Sequence, residues 1–220
     1  MNGKPYLEFR EDGTFHVLHI TDLQEGVHPQ KDTLRLLHAL LDTAKPDLVI
    51  LTGDQLKGYS PAFRLLGKES VQNTLHMLTE PMEKRGIPYA VTFGNHDLQC
   101  GLSNEEQAAI YRSYPYCICP AEEQGAGTFY LKIRNSRGAE ELRFYLVDSG
   151  NKTVHGKYAP PAAAVLDWLK EKLSQDQVPS MVFQHIPLPE YKKCRNGSCG
   201  ESHYCTFILN NDNRPGSDSC

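Results

Sequence analysis

Several things are missing from this 220-residue chain, and each absence excludes a class of function. No run approaches the roughly 18 unbroken apolar residues of a membrane span. The opening residues, MNGKPYLEFREDG, lack the apolar stretch of an export signal. Basic residues are not in excess: 23 Lys and Arg face 27 Asp and Glu, for a net charge of −4, so no nucleic-acid surface is announced. No Lys/Arg cluster flanks an amphipathic helix, as a membrane-surface protein would show. Neither G-x-G-x-x-G nor G-x4-G-K-[ST] follows a strand-like run, which disfavours a doubly wound nucleotide-binding module. The seven cysteines (100, 117, 119, 194, 199, 205 and 220) are odd in number. With no leader, they read as mostly reduced thiols of a cytoplasmic protein. Cys117-x-Cys119 and Cys194-x4-Cys199 are off the usual C-x2-C spacing of a zinc site.

What is present is a rhythm. Residues 15–21 (FHVLHIT), 48–52 (LVILT) and 87–93 (IPYAVTF) are apolar runs. Between them, 31–44 and about 70–85 carry apolar residues at helical spacing: Leu34, Leu37, Leu41 and Ala44, then Val71, Leu75, Leu78 and Met82. Residues 55–69 read as a looser stretch, and Pro81 should kink or end the second helix. Alternating strand and helix predicts a parallel sheet with crossovers. A short helix over 104–113 follows, then an antiparallel pair, 128–133 and 142–148, around the turn-rich NSRGAEE. Pro160 and Pro161 open another helix with Ala162, Leu166, Leu169 and Leu173 inward, and MVFQ forms a last strand before His185. A domain over 1–190 and an irregular, poorly ordered tail over 191–220 are expected.

Four of these strands end on a metal ligand. Asp22, with Gln24 two residues on, follows the first; Asp54 follows the second; Asn95 follows the third; His185 follows the last. Carboxyl ends of parallel strands share one edge, where ligands bind. Two carboxylates, two amide oxygens and an imidazole suit Mn, Fe or Zn. Asp54, pushed out by the Gly53 turn, is the natural bridge between two such ions. A pair of cations about 3.5–4 Å apart clamps phosphorus for in-line displacement and acidifies a shared water. His96 is then left to face the substrate as a general acid, with Asp97 holding its ring.

Asp22-x-Gln24, Gly53-Asp54, Gly94-Asn95-His96-Asp97 and His185 together resemble the ordered motifs of calcineurin-like metallophosphoesterases, over roughly residues 15–190. FQHIPLPEY around His185 is similar to members related to purple acid phosphatases. The resemblance implies a four-layer α/β/β/α sandwich with mixed sheets and two divalent ions at the sheet edge. It implies Asp22, Gln24 and Asp54 on the first ion and Asp54, Asn95 and His185 on the second, with His96 meeting the leaving group of a phosphoester. Two departures stand out. The family usually has histidine where this chain has Gln24, which favours Mn or Mg. It also closes its site with a G-H-x-H motif downstream of His185, and both its histidines bind metal. This sequence has no such motif; His203 in ESHYC is the only later histidine, so the fold is expected to be incomplete at its C-terminus.

Two functions follow: a hydrolase using a binuclear centre against a phosphoester, or an impaired, truncated relative that binds metal weakly or binds a partner. Asp22 and Asp54 taken singly would be turn or cap residues. His16 and His19 read as packed in a strand, His28 and His155 as loop residues, His38 and His76 as helix-face residues, Asp148 and Asn151 as turn residues, and Trp168 as packing. Neither monoester versus diester, nor the substrate, nor the oligomeric state is readable.

Overall fold

The structure, a computed structural model, describes residues 5–121, 123–151, 158–175 and 178–188. The expectations for His155, His203, the cysteines from 194 onward and the 191–220 tail lie outside these residues. Contacts group Met1–Ile186 into one compact unit and Pro187–Cys220 into another, of which only Pro187 and Leu188 are described.

The first sheet contains β1 (Val17–Ile20), β2 (Leu48–Leu51) and β3 (Tyr89–Val91), parallel and in that order. All four residues of the central β2 are buried, which is why its sequence is apolar without alternation. The crossovers are α1 (Lys31–Ala44) and α2 (Pro61–Glu83), which pack on each other. On α1, Leu37 and Leu41 are buried and Ala44 is exposed, so the apolar stripe ends one turn early. On α2 the four expected residues, Val71, Leu75, Leu78 and Met82, are all buried. The helix nevertheless begins at Pro61, inside the stretch expected to be loose, with Gly67 breaking it at φ 70°, ψ −163°. Ser70 restarts it, its hydroxyl donating to the Gly67 carbonyl at 2.7 Å. Pro81 sits within the last turn, and the helix stops at Glu83.

After α3 (Asn104–Arg112), β4 (Phe129–Arg134) and β5 (Glu140–Val147) form the expected antiparallel pair. Asn135 shapes the turn between them, its Oδ1 accepting from the backbone N–H groups of Arg137 and Ala139. The chain then crosses through α4 (Ala163–Gln175) to β6 (Ser180–Gln184), which lies parallel to β5. His185 therefore follows a strand of a second sheet, in the order β4-β5-β6, and not of the sheet that carries Asp22, Asp54 and Asn95.

Strand β5 shows how the layers stack. Phe144 and Leu146 join one core with β1–β3, α1 and α2. Tyr145 and Val147, pointing the other way as strand geometry demands, form a second cluster with Val165 and Trp168 of α4. Helices, sheet, sheet and helix thus make the α/β/β/α sandwich. The buried face of α4 is Val165 and Trp168, with the expected Leu169 packed beside them, whereas the expected Ala162 and Leu173 are exposed. Trp168 is fixed by Tyr130 and Tyr145, whose ring centroids lie 6.4 and 5.9 Å away.

Candidate metal centre

The loops after β1 and β2 continue side by side beyond the strands. Asp22 N–H donates to the Gly53 carbonyl (3.1 Å), Gln24 N–H to that of Asp54 (2.9 Å), and Glu25 N–H to that of Gln55 (3.0 Å). Asp22, Gln24 and Asp54 all take left-handed backbone, at φ 56°, 46° and 51°. Such values are uncommon outside glycine and gather where function needs them. Gly53 precedes Asp54 at φ 100°, and a Cβ there would lie 2.1 Å from the Gly94 nitrogen. A Cβ on Gly94 would lie 2.2 Å from Asp54 Oδ1. Glycine is required at both positions because the β2 and β3 loops touch.

Asp22, Asp54 and His185 converge, each with a ligand atom within 4.8 Å of the others. His185 Nε2 lies 3.5 Å from Asp54 Oδ2, and its Nδ1 lies 3.9 Å from Asp22 Oδ2. The turn carrying His185 is anchored by Ile186 N–H donating to Ser149 Oγ at 2.9 Å. Thr21 Oγ1 donates to Asp22 Oδ2 at 2.7 Å. Burial pushes the Asp54 carboxyl up, but the hydrogen bond and charge of His185 and the backbone N–H of His96 outweigh it, leaving the carboxyl below its ordinary value. Burial likewise pushes the His185 ring down, and the carboxylates of Asp54, Asp22 and Asp97 more than reverse this. Two carboxylates and an imidazole drawn together from separate sheets fit a divalent cation.

The other expected residues are placed as follows. Asn95 is buried, and its Nδ2 has no hydrogen-bond partner among the described residues. It stands between two residues that touch Asp54: Gly94, and His96, whose N–H donates to Asp54 Oδ1 at 2.8 Å. Gln24 reaches Asp54 through Nε2, which donates to Oδ2 at 3.3 Å. His96 is half-buried, and its Nδ1 donates to Gln99 Oε1 at 2.9 Å. That bond fixes Nε2 as the nitrogen free to carry an exchangeable proton.

Asp97 does not hold the His96 ring. Its carboxylate instead accepts the backbone N–H of Asp54 and of Gly94, each at 2.8 Å, and that of Leu56 at 3.5 Å. It ties the β2 loop to the β3 loop beneath the cluster. Burial pushes its carboxyl up to about 6, against the pull of these N–H groups.

Two contributors lack any signal in the sequence. Tyr59 packs edge-on against His96, with centroids 4.9 Å apart, and its hydroxyl donates to Gln24 Oε1 at 3.2 Å. Glu25, buried behind Gln24, accepts from Gln30 N–H at 2.9 Å and from Thr33 Oγ1, closing the start of α1. Elsewhere the expected bystanders stay away from the site. His16 pairs with Arg10, His19 with Thr52, and Asp148 with Asn104 and its own turn. Cys117 and Cys119 are buried and join no metal-binding group among the described residues.

Comparison with known proteins bears on the family and the fold. The calcineurin-like phosphoesterase family matches residues 15–213. The chain is 28% identical to phosphatase DCR2 of Saccharomyces cerevisiae, covering 86% of this chain and 37% of that protein. It is 23% identical to probable inactive purple acid phosphatase 14 of Arabidopsis thaliana, covering 86% of this chain and 57% of that protein. It therefore spans less than two thirds of the length of either relative. Among solved structures, a dimetal phosphatase from Danio rerio superposes with a TM-score of 0.53 at 13% identity, over 79% of this chain and 70% of that one, a likeness of fold.

Proposed function

This chain belongs to the calcineurin-like phosphoesterase family, and from that premise we propose that it hydrolyses a phosphate ester at the Asp22–Asp54–His185 cluster. The observation that carries this reading is the convergence of these three residues within 4.8 Å from two different sheets. Asp22, Asp54 and His185 would hold a divalent cation, with Asn95 adding its amide oxygen from the β3 loop. When bound, such a cation supplies Lewis acidity and makes water available as a nucleophile near neutral pH. Mn, Fe or Zn suits these donors.

The chain's own residues do the rest. Asp54 lies at the centre, its orientation set by the His96 N–H on Oδ1. His96 faces the departing group: Gln99 holds Nδ1, so a protonated ring presents Nε2–H to the leaving alkoxide oxygen. Asp97 keeps the two loops at one spacing and takes no part in the proton transfer.

The test is turnover of para-nitrophenyl phosphate and its bis-ester by the purified chain with added Mn2+. Metal-dependent hydrolysis, lost on Asp54→Asn and reduced about 10²-fold or more on His96→Ala, is expected. Wild-type turnover no greater than that of His96→Ala would favour the second reading, an impaired relative that binds metal without catalysis. That reading draws support from Gln24 standing where the family resemblance leads one to expect histidine.

A further inference from the structure

The hydrogen bonds of Gln24 bear on how many ions the centre holds. A glutamine can ligate a cation only through Oε1, because its Nε2 carries protons and no free lone pair. In this structure Oε1 accepts the Tyr59 hydroxyl at 3.2 Å. Nε2 donates to Asp54 Oδ2 at 3.3 Å, the same oxygen that faces His185 Nε2 at 3.5 Å. The other Asp54 oxygen accepts the His96 N–H. A bridging carboxylate needs lone pairs for a second ion, and here the amide protons of Gln24 are aimed at them instead.

Asp54, an acceptor, and Tyr59, donating from the other side, together keep the amide turned this way. The tyrosine ring is held edge-on against His96, 4.9 Å between centroids, and Lys57 Nζ lies 5.4 Å from its centroid. If the Gln24 amide were flipped to present Oε1 to an ion, the tyrosine hydroxyl would have to stop donating and turn to accept from the NH2, and the N–H to Asp54 Oδ2 would be lost. Charge argues in the same direction. Asp22 and Asp54 carry two negative charges, which one divalent cation balances. A second cation would gain only the neutral donor Gln24 and no further negative charge, at a site where Asp54 is 2% exposed; uncompensated charge in such a place is costly.

We propose that this chain binds one divalent cation, held by Asp22, Asp54 and His185, and that the Gln24–Tyr59 pair occupies the place of a second. This rests on the metal-dependent reading of the same site. It makes Gln24 and Tyr59 positioning residues that orient Asp54 and steady His96, and it removes Gln24 from the set of metal ligands.

The experiment is equilibrium dialysis of the chelator-treated full chain against Mn2+, with bound metal counted by mass spectrometry and its electron paramagnetic resonance recorded. One ion per chain is expected, with the six-line spectrum of isolated manganese. Gln24→His should take up a second ion and give the many-line spectrum of a coupled pair about 3.5–4 Å apart. Tyr59→Phe, a conservative change at an exposed ring, should add a weaker second site by freeing Gln24 Oε1. Two ions with a coupled spectrum in the unsubstituted chain would overturn the proposal and leave the metallophosphoesterase reading standing. No bound manganese at all would overturn both. A Tyr59→Phe titration identical to the unsubstituted one would overturn the role given to Tyr59.

Discussion

Replacing Asp97 by asparagine keeps its shape and reverses part of its hydrogen bonding. One of its oxygens accepts two backbone N–H groups, from Asp54 and Gly94; asparagine can offer them only a neutral carbonyl oxygen and turns its NH2 against the Leu56 N–H. We expect Asp97→Asn to lose about 3 kcal/mol of stability in urea unfolding, with metal affinity falling as the two loops part. Gly94 offers a sharper probe. Its missing side chain is the space into which Asp54 Oδ1 fits. Gly94→Ala should displace that carboxylate and weaken Mn2+ binding by about 10–100-fold in a calorimetric titration. At this scale the sequence is readable where a residue type has few uses: Asp22, Asp54 and His185 are brought together as their positions after strands suggested. It is silent where a contact is made across the chain. Nothing about a Gly-Tyr dipeptide in a loop says that Tyr59 will reach Gln24, 35 residues away. The GNHD order suggested that Asp97 serves its neighbour His96, whereas a buried carboxylate went to the nearest unpaired backbone N–H groups.

Among the elements, the outer face of the second sheet carries a charged pair whose effect on stability depends on pH. Arg143, on β5, is 2% exposed, and its guanidinium donates to both oxygens of Glu140, at 2.5 and 3.0 Å. Lys132 of β4 lies 3.3 Å from the same carboxylate. Burial pushes the Glu140 carboxyl up, but Arg143 and Lys132 pull it down further, so in the folded chain it lies below its ordinary 4.5. A depressed carboxyl contributes its full stabilisation above that ordinary value and loses it as pH falls through the folded one. Glu140→Gln should therefore cost about 2 kcal/mol near neutral pH and flatten the fall in stability on acidification below about pH 4.5, read by urea unfolding. Most elements were legible because periodicity is strong in α1, in the later part of α2 and in the β4–β5 hairpin. The early turns of α2 were not: PAFRLLG has no apolar stripe, Leu65 is 85% exposed, and only Phe63 buries itself there. Capping by Pro61 at the first turn and tertiary burial of Phe63 overrode the weak local pattern. The face of α4 was misjudged by one residue because its apolar residues run nearly all round, and Trp168 settled the rotation by finding two tyrosines on the sheet.

For the whole molecule, the alternation of elements pointed to an α/β protein, but nothing in the spacing assigns β6 to a second sheet. That division follows from β5 presenting one face to the shared core and the other to α4. It has a thermodynamic consequence. Asp22 and Asp54 hang from the first sheet and His185 from the second, so a cation that binds only the folded arrangement stabilises the stacking of the two sheets. Manganese at about 100 times its dissociation constant should add about 2.7 kcal/mol, raising the thermal midpoint, and chelation should abolish the rise; Asp54→Asn should remove the response. No helix among the described residues is long and apolar enough to cross a membrane.

Thr21 and His185 are neighbours across 164 residues of chain. An ion gripping Asp22 and His185 would be a removable staple near the two ends of the compact unit. Withdrawing it should let the last strand and its helix come loose first. Amide exchange in β6 and α4 would then quicken on chelation, while β2, sealed between two layers, keeps its protons.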